Sequence, residues 1–188
     1  RGFWFDKKSD IDEETGVVPF LLDTETPNEP SEFNIKFFVG DKRYWYALVL
    51  DDKQVIKEDL YVYNSVQPSL VFSRKLDGTA SLIKLNANLV KSNAIIVEQL
   101  NVKCLSNMSF FAARNQVNCS LAYIDEVRDW MKNNMMPIIE PGTRMFEYAG
   151  KQMEKNAELK AYILDFVHKA DYNITDVYTE REKMPIPD

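Results

Sequence analysis

Pro30 to Tyr63 reads PSEFNIKFFVGDKRYWYALVLDDKQVIKEDLYVY, and this stretch decides the fold. Three runs of alternating apolar residues are joined by two tight Gly/Asp-type turns, which predicts an antiparallel meander. Strand side chains alternate sides with period two, so Phe33, Ile35, Phe37 and Val39 share one face. After the turn Gly40-Asp41, Tyr44, Tyr46, Leu48 and Leu50 point one way and Trp45, Ala47 and Val49 the other. Apolar and aromatic residues on both faces predict a central strand covered on both sides. Asp51-Asp52-Lys53 then turns the chain into Val55 to Tyr63, where Ile56, Leu60 and Val62 alternate with Lys57, Asp59 and Tyr61.

Working outward, Leu70 to Arg74 and Ser81 to Leu85 flank the turn Asp77-Gly78 as a further hairpin, giving about five strands. On the N-terminal side, residues 1–29 read largely as loop. Within them Val17 to Leu22 forms an apolar run around Pro19 suited to a short edge strand or an extended segment lying on the core. Beyond Asn86 the period changes to that of helices. Helix is expected over Asn88 to Leu100 and, as a short apolar piece, over Asn107 to Arg114. From Ser120, a plausible N-cap, Leu121, Ile124, Val127, Met131 and Met135 recur at three- and four-residue steps. Pro137 ends that helix, and PIIEPG follows as a short strand or extended connection. Two more helices are expected over Arg144 to Glu154 and Asn156 to Ala170, the second with Leu159, Ile163, Phe166, Val167 and Ala170 on one side. Asn173 to Thr179 alternates as a closing strand before a polar tail. The fold class is therefore α+β, an antiparallel meander followed by a helical lobe and a final strand. The segments are 1–29, loop; 30–86, β-lobe; 87–172, helical lobe; 173–188, closing strand and tail.

Composition bounds the function. With 188 residues, 45% of them hydrophobic, the chain can bury a core. Twenty-three Lys and Arg against 29 Asp and Glu leave a net charge of −6, which gives no global attraction to nucleic acid or anionic lipid. A local basic patch is compatible with that balance. No apolar run reaches the length of about eighteen residues needed to span a bilayer, and RGFWFDKKSD lacks the order of a secretory signal, so a cytoplasmic location is expected. The start at Arg rather than Met fits a trimmed or excised piece. Cys104 and Cys119 form no CxxC pair and read as buried free thiols. The sequons at Asn107, Asn118 and Asn173 read as fortuitous without a secretory signal.

Sites of chemistry are sparse. A phosphate cradle needs the pattern GxxxxGK[ST], and the six glycines are instead scattered singly. An apolar strand ending in paired carboxylates is also missing. The one histidine, His168, falls towards the polar side of a helix near its C-terminus, where the dipole favours it, rather than beside a nucleophile. It lies too far along the chain from Cys104 and Cys119 for the local ligand pairs of a zinc site. Asp10, Asp12, Glu13 and Glu14 read as a solvated loop. Tyr44-Trp45-Tyr46 beside Arg43 could stack bases, but burial under helices accounts for the rings better. Arg114-Asn115-Gln116 reads as a polar connector. No catalytic, cofactor-binding or metal-ligating residue is assigned.

Several stretches in this order resemble bacterial AAA-type ATPases with an ABC-like nucleotide-binding head. They are PFLLDTETPNEPSEFNIKFFVGDKRYWYALVLDDKQVIKEDLYVY at Pro19 to Tyr63, LVFSRK at Leu70 to Lys75, and LKAYILDFVHKADYNITDVYTE at Leu159 to Glu180. The helical stretch ending VRDWMKNNMMPII at Val127 to Ile139 is similar to the family's central helices. In such proteins the Walker A loop lies upstream of PFLLD, and the Walker B carboxylates lie downstream of the strand matching Ile174 to Thr179. The resemblance implies a β-lobe and a helical lobe of a head that, when intact, is an ATPase holding ATP and Mg²⁺ between two associating copies. It implies the remainder of the ATPase polypeptide as partner. This chain on its own would be inert, and no catalytic residue transfers to it. The resemblance covers roughly Val18 to Glu180 and names no counterpart for residues 1–17, whose role it leaves open. Missing strands would leave apolar surface, favouring a homodimer through a sheet edge. The alternative is an interaction module binding nucleic acid or a protein through the meander. If Trp45, Tyr44 and Tyr46 face solvent, that alternative gains; if they lie under helices, it fades.

Overall fold

The computed structural model describes residues 2–22, 24–135, 142, 145–170, 172–178 and 180. It divides into two compact units, 1–137 and 138–188. The first opens with a single helical turn, α1 (Gly2–Phe5), followed by loop and one 3₁₀ turn at Thr26–Asn28. Five strands come next: β1 (Ser31–Val39), β2 (Lys42–Leu50), β3 (Val55–Tyr63), β4 (Ser69–Asp77) and β5 (Ala80–Leu85). They form one antiparallel sheet in sequence order, the meander that the alternating pattern predicts.

The turns explain the register. Gly40 has φ 57° while Asp41 stays at negative φ, the signature of a two-residue II′ hairpin turn with glycine first. Gly78, at φ 60°, does the same between β4 and β5. Between β2 and β3 the Asp51 carboxylate accepts the N–H groups of Lys53 and Gln54 at 2.9 and 2.8 Å, fixing a turn without glycine.

Three helices follow in this unit: α2 (Ala94–Lys103), α3 (Phe110–Arg114) and α4 (Ile124–Asn134). Each begins later than the apolar period suggests. Asn93 caps α2, its side chain accepting from Ile96 N at 2.9 Å, because the residues from Asn86 are tied into turns. Ser109 caps α3 through Ala112 N. Ser120 caps nothing: Asp125 reaches back to Leu121 N at 2.8 Å, and Tyr123, at φ 64°, holds the strained left-handed position before α4.

The core lies between one sheet face and these helices. Tyr44, Tyr46, Leu48, Leu50, Leu60, Val62 and Phe72 meet Phe110, Phe111, Leu121, Ile124, Val127 and Met131 in it. Trp45, Ala47 and Val49 on the opposite face of β2 are only half-buried. The strand is therefore central but covered by helices on one side, and on its second face Trp45 stacks on Tyr61 of the neighbouring strand β3. Val17 alone of the Val17–Leu22 run packs on the core, and Val18, Phe20, Leu21 and Leu22 are exposed. No ladder forms there.

The second unit contains α5 (Phe146–Lys155) and α6 (Ala157–Lys169), joined at Asn156, whose side chain caps α6 by accepting from Leu159 N at 3.0 Å. The closing strand expected over Asn173 to Thr179 is not present in the described residues 173–178, which join no ladder. Thr179 and most of PIIEPG lie outside the described residues.

Candidate functional site

Parity places Glu58 and Arg74 on the inner face of the sheet, where the register sets them directly opposite each other on β3 and β4. Both are fully buried. They do not grip one another; each is tied to different groups. The Glu58 carboxylate accepts Tyr46 Oη at 2.8 Å on one oxygen and Phe110 N at 2.7 Å on the other. Phe110 N is among the N-terminal amides of α3 that have no partner within the helix, so a sheet residue caps that helix. Arg74 donates to Val55 O at 2.7 Å, to Ser81 Oγ at 2.9 Å and to Leu105 O and Ser106 O at 3.1 Å each. A single guanidinium thus stitches β3, β5 and the loop after α2 together. Burial pushes the Glu58 carboxyl up despite the nearby positive charge of Arg74 and its two donors. Tyr46 is raised well above its ordinary value, by burial first and then by the Glu58 charge. Cys104 is raised by burial as well. The cluster is sealed from solvent and chemically suited to holding α3 against the sheet.

Charged residues at inward parity, Glu58 among Ile56, Leu60 and Val62 and Arg74 beside Phe72, are the signal in the sequence that points to this pair. Arg114 is the other residue that sequence reasoning missed. Far from being a plain connector, it is buried, forms a two-pronged ion pair with Asp125 and donates to the carbonyls of Val117 and Cys119.

The open face carries a different arrangement. Trp45 stacks on Tyr61 at 4.6 Å, Lys36 Nζ lies 5.7 Å from the centre of the Trp45 ring, and Arg43 covers Tyr63 at 3.8 Å. Trp45 Nε1 also donates to Asn34 Oδ1 at 3.0 Å. Asp59 sits at the centre of this face, bridged to Lys57 at 3.0 Å and accepting the Tyr61 hydroxyl at 3.0 Å. Burial, followed by the Asp59 charge, pushes Tyr61 up to about 12. Tyr44 and Tyr46 lie on the other face, under the helices. Tyr44 Oη donates to Glu126, which also holds Lys42.

A third feature is an apolar groove of about 380 Å³ beside β1, lined among others by Phe3, Trp4, Val17, Phe33, Ile35 and Leu48. Its rim residue Phe33 is 50% exposed.

The acidic run folds back on itself. Glu13 Oε1 accepts Ser9 N and Asp10 N at 2.6 and 2.9 Å, and these bonds, led by that from Asp10, hold its carboxyl below the usual range. Asn107 Nδ2 donates to Asp10 O and Glu13 O at 2.8 Å each, fastening the loop to the core. Asn107→Ala is expected to leave the sheet folded while speeding limited proteolysis within residues 8–14, read by mass spectrometry of the cleavage products. Unchanged cleavage would show that the loop is held elsewhere. Of the three sequons, Asn107 is buried and Asn118 and Asn173 are exposed. Cys104 is buried and free; Cys119 is free but only half-buried, a departure from the expected burial of both. His168 is exposed in the last turn of α6.

In the second unit Lys160 Nζ meets Asp176 at 2.7 Å, and that bond draws the Asp176 carboxyl down. Tyr162 and Phe166 of α6 are 67% and 62% exposed, and no side chain of α6 is fully buried. Among the described residues no helix is long and apolar enough to cross a membrane.

With this geometry in hand, comparison with known proteins finds no matching family model, no matching curated protein and no matching solved structure.

Proposed function

We propose that this chain is the internal, non-catalytic region of an AAA-type ATP-binding protein with an ABC-like head, lying between its Walker A and Walker B segments. One observation carries the proposal. The five-stranded meander stands over Ser31 to Leu85, with helices after it, where the resemblance implies a β-lobe and a helical lobe.

The residues here do not fit a nucleotide triphosphate by themselves. Gly40 and Gly78 each turn a hairpin, and neither opens a helix, so no backbone cradle for phosphates is built on them. Among the described residues no group of His, Cys, Asp or Glu is placed to hold a metal ion. Binding and cleavage of ATP would belong to the rest of the parent.

Isothermal titration with ATP and Mg²⁺ tests this directly. The isolated chain is expected to give no saturable heat and no turnover, whereas the complete reading frame containing it binds and hydrolyses ATP. Micromolar binding with turnover by this chain alone would overturn the proposal, as would a reading frame without an upstream phosphate loop.

A second reading, an interaction module acting through the open sheet face, is favoured by the local charge. Lys36, Arg43, Lys57, Lys75 and Lys84 share that face with the acids Glu32, Asp59 and Asp77, five cationic residues against three acidic ones. Against base stacking, the Trp45 and Tyr63 ring faces are already covered by Lys36, Tyr61 and Arg43. A salt-dependent shift of single-stranded DNA or RNA that Arg43→Ala abolishes would favour this reading.

A further inference from the structure

The two edges of the sheet are treated differently. On β5, Ile83 N donates to the side chain of Asn101 on α2 at 2.8 Å, so that edge is engaged by its own helix. On β1, among the described residues, no hydrogen bond reaches the backbone except from β2. This edge is nine residues long, its pairing with β2 has no bulge, and Glu32, Phe33, Asn34, Lys36 and Phe38 are exposed along it. Long, regular, uncovered edges are templates for another strand.

The hairpin fixes which backbone groups are free. Val39 and Lys42 close the two-residue turn and exchange its hydrogen bonds, and bonded and non-bonded pairs then alternate down the ladder. Val39, Phe37, Ile35 and Phe33 therefore direct their N–H and C=O groups to β2. Phe38, Lys36, Asn34 and Glu32 direct theirs outwards.

We propose that β1 pairs antiparallel with β1 of a second copy of this chain about a two-fold axis at Asn34, joining two meanders into one continuous sheet. The occupant is a second copy because the edge is complementary to itself. With Asn34 opposite Asn34, Glu32 of each chain lies opposite Lys36 of the other, making two opposite-charge cross-strand pairs. On the inner face Phe33 of each chain lies opposite Ile35 of the other, extending the apolar groove that both residues line. The neighbouring register, centred on Ile35, offers the same backbone groups but sets Glu32 against Phe38 and Lys36 against Asn34. It forfeits both charge pairs. Lys36, which on a lone edge deters pairing, is in the first register neutralised by its counterpart.

The proposal does not rest on the functional reading above, and the dimer forms without nucleotide. Sedimentation velocity over a range of concentrations, with circular dichroism as a check on folding, tests it. The wild-type chain is expected to dimerise. Glu32→Lys and Lys36→Glu are each expected to weaken dimerisation about tenfold or more, because two attractive pairs become two repulsive ones. The double variant carrying both reversals is expected to restore it. Asn34→Pro, which removes an outward N–H at the axis while leaving the bonds to β2, is expected to give a folded monomer. A wild-type chain that stays monomeric throughout, or a dimer indifferent to the charge reversals, overturns the proposal.

Discussion

Arg74→Met is expected to destabilise the first unit by about 3–5 kcal/mol, the usual cost of breaking a buried charge arrangement from one side. Methionine keeps the apolar stem, so the loss isolates the guanidinium. Val55 O, Leu105 O and Ser106 O lose their donor, and Glu58 loses the positive charge that offsets its burial. The pH dependence has a definite sign. A carboxyl whose folded pKa is raised above the unfolded value contributes stability below the unfolded value and loses it as pH rises through the folded one. Glu58 is raised already, and removing Arg74 raises it further. The deficit of the variant relative to wild type is therefore expected to widen from about pH 5 to about pH 8. Urea unfolding of both proteins at the two pH values measures it. A deficit that stays constant would mean that the guanidinium acts only as a tie between carbonyls.

Phe110→Ala is expected to cost a similar amount, about 3–5 kcal/mol, through the cavity it leaves. The ring is fully buried, stacks on Phe72 at 3.9 Å and meets Phe111 edge-on at 5.7 Å. The Phe110 N–H that Glu58 accepts survives the substitution, so the measured loss belongs to packing rather than to the helix cap. Phe110→Leu is expected to recover much of it. Equilibrium denaturation provides the check, and a loss below about 1 kcal/mol would show that the site collapses around the smaller side chain.

Much of the fold is legible in the residues. The period-two runs, the Gly40 and Gly78 turns and the inward set Tyr44, Tyr46, Leu48 and Leu50 follow from local physics, and the structure has them as expected. The helices are legible in kind but less so at their ends, because caps are chosen by competing side chains. Ser120 has no helical amide to accept, because Asp125 holds the Leu121 amide and the helix starts only at Ile124. The closing strand over Asn173 to Thr179 shows the limit of alternation, since a strand needs a partner edge and the pattern cannot say whether one is near. The buried polar residues were hardest to foresee. Arg114 reads as part of a polar connector, and no partner for Glu58 or Arg74 is in view, until the register and the loop path bring carbonyls and amides to them. Such partners come from segments far apart in the chain, and no local window contains them.

The fastening of the acidic loop by Asn107 has a dynamic consequence. Two side-chain bonds close contacts spanning 97 and 94 residues, while the loop itself buries almost nothing between Ser9 and Glu14. Its amides should therefore exchange with deuterium through small, frequent detachments, whereas those of β2 and β3 wait for the whole unit to melt.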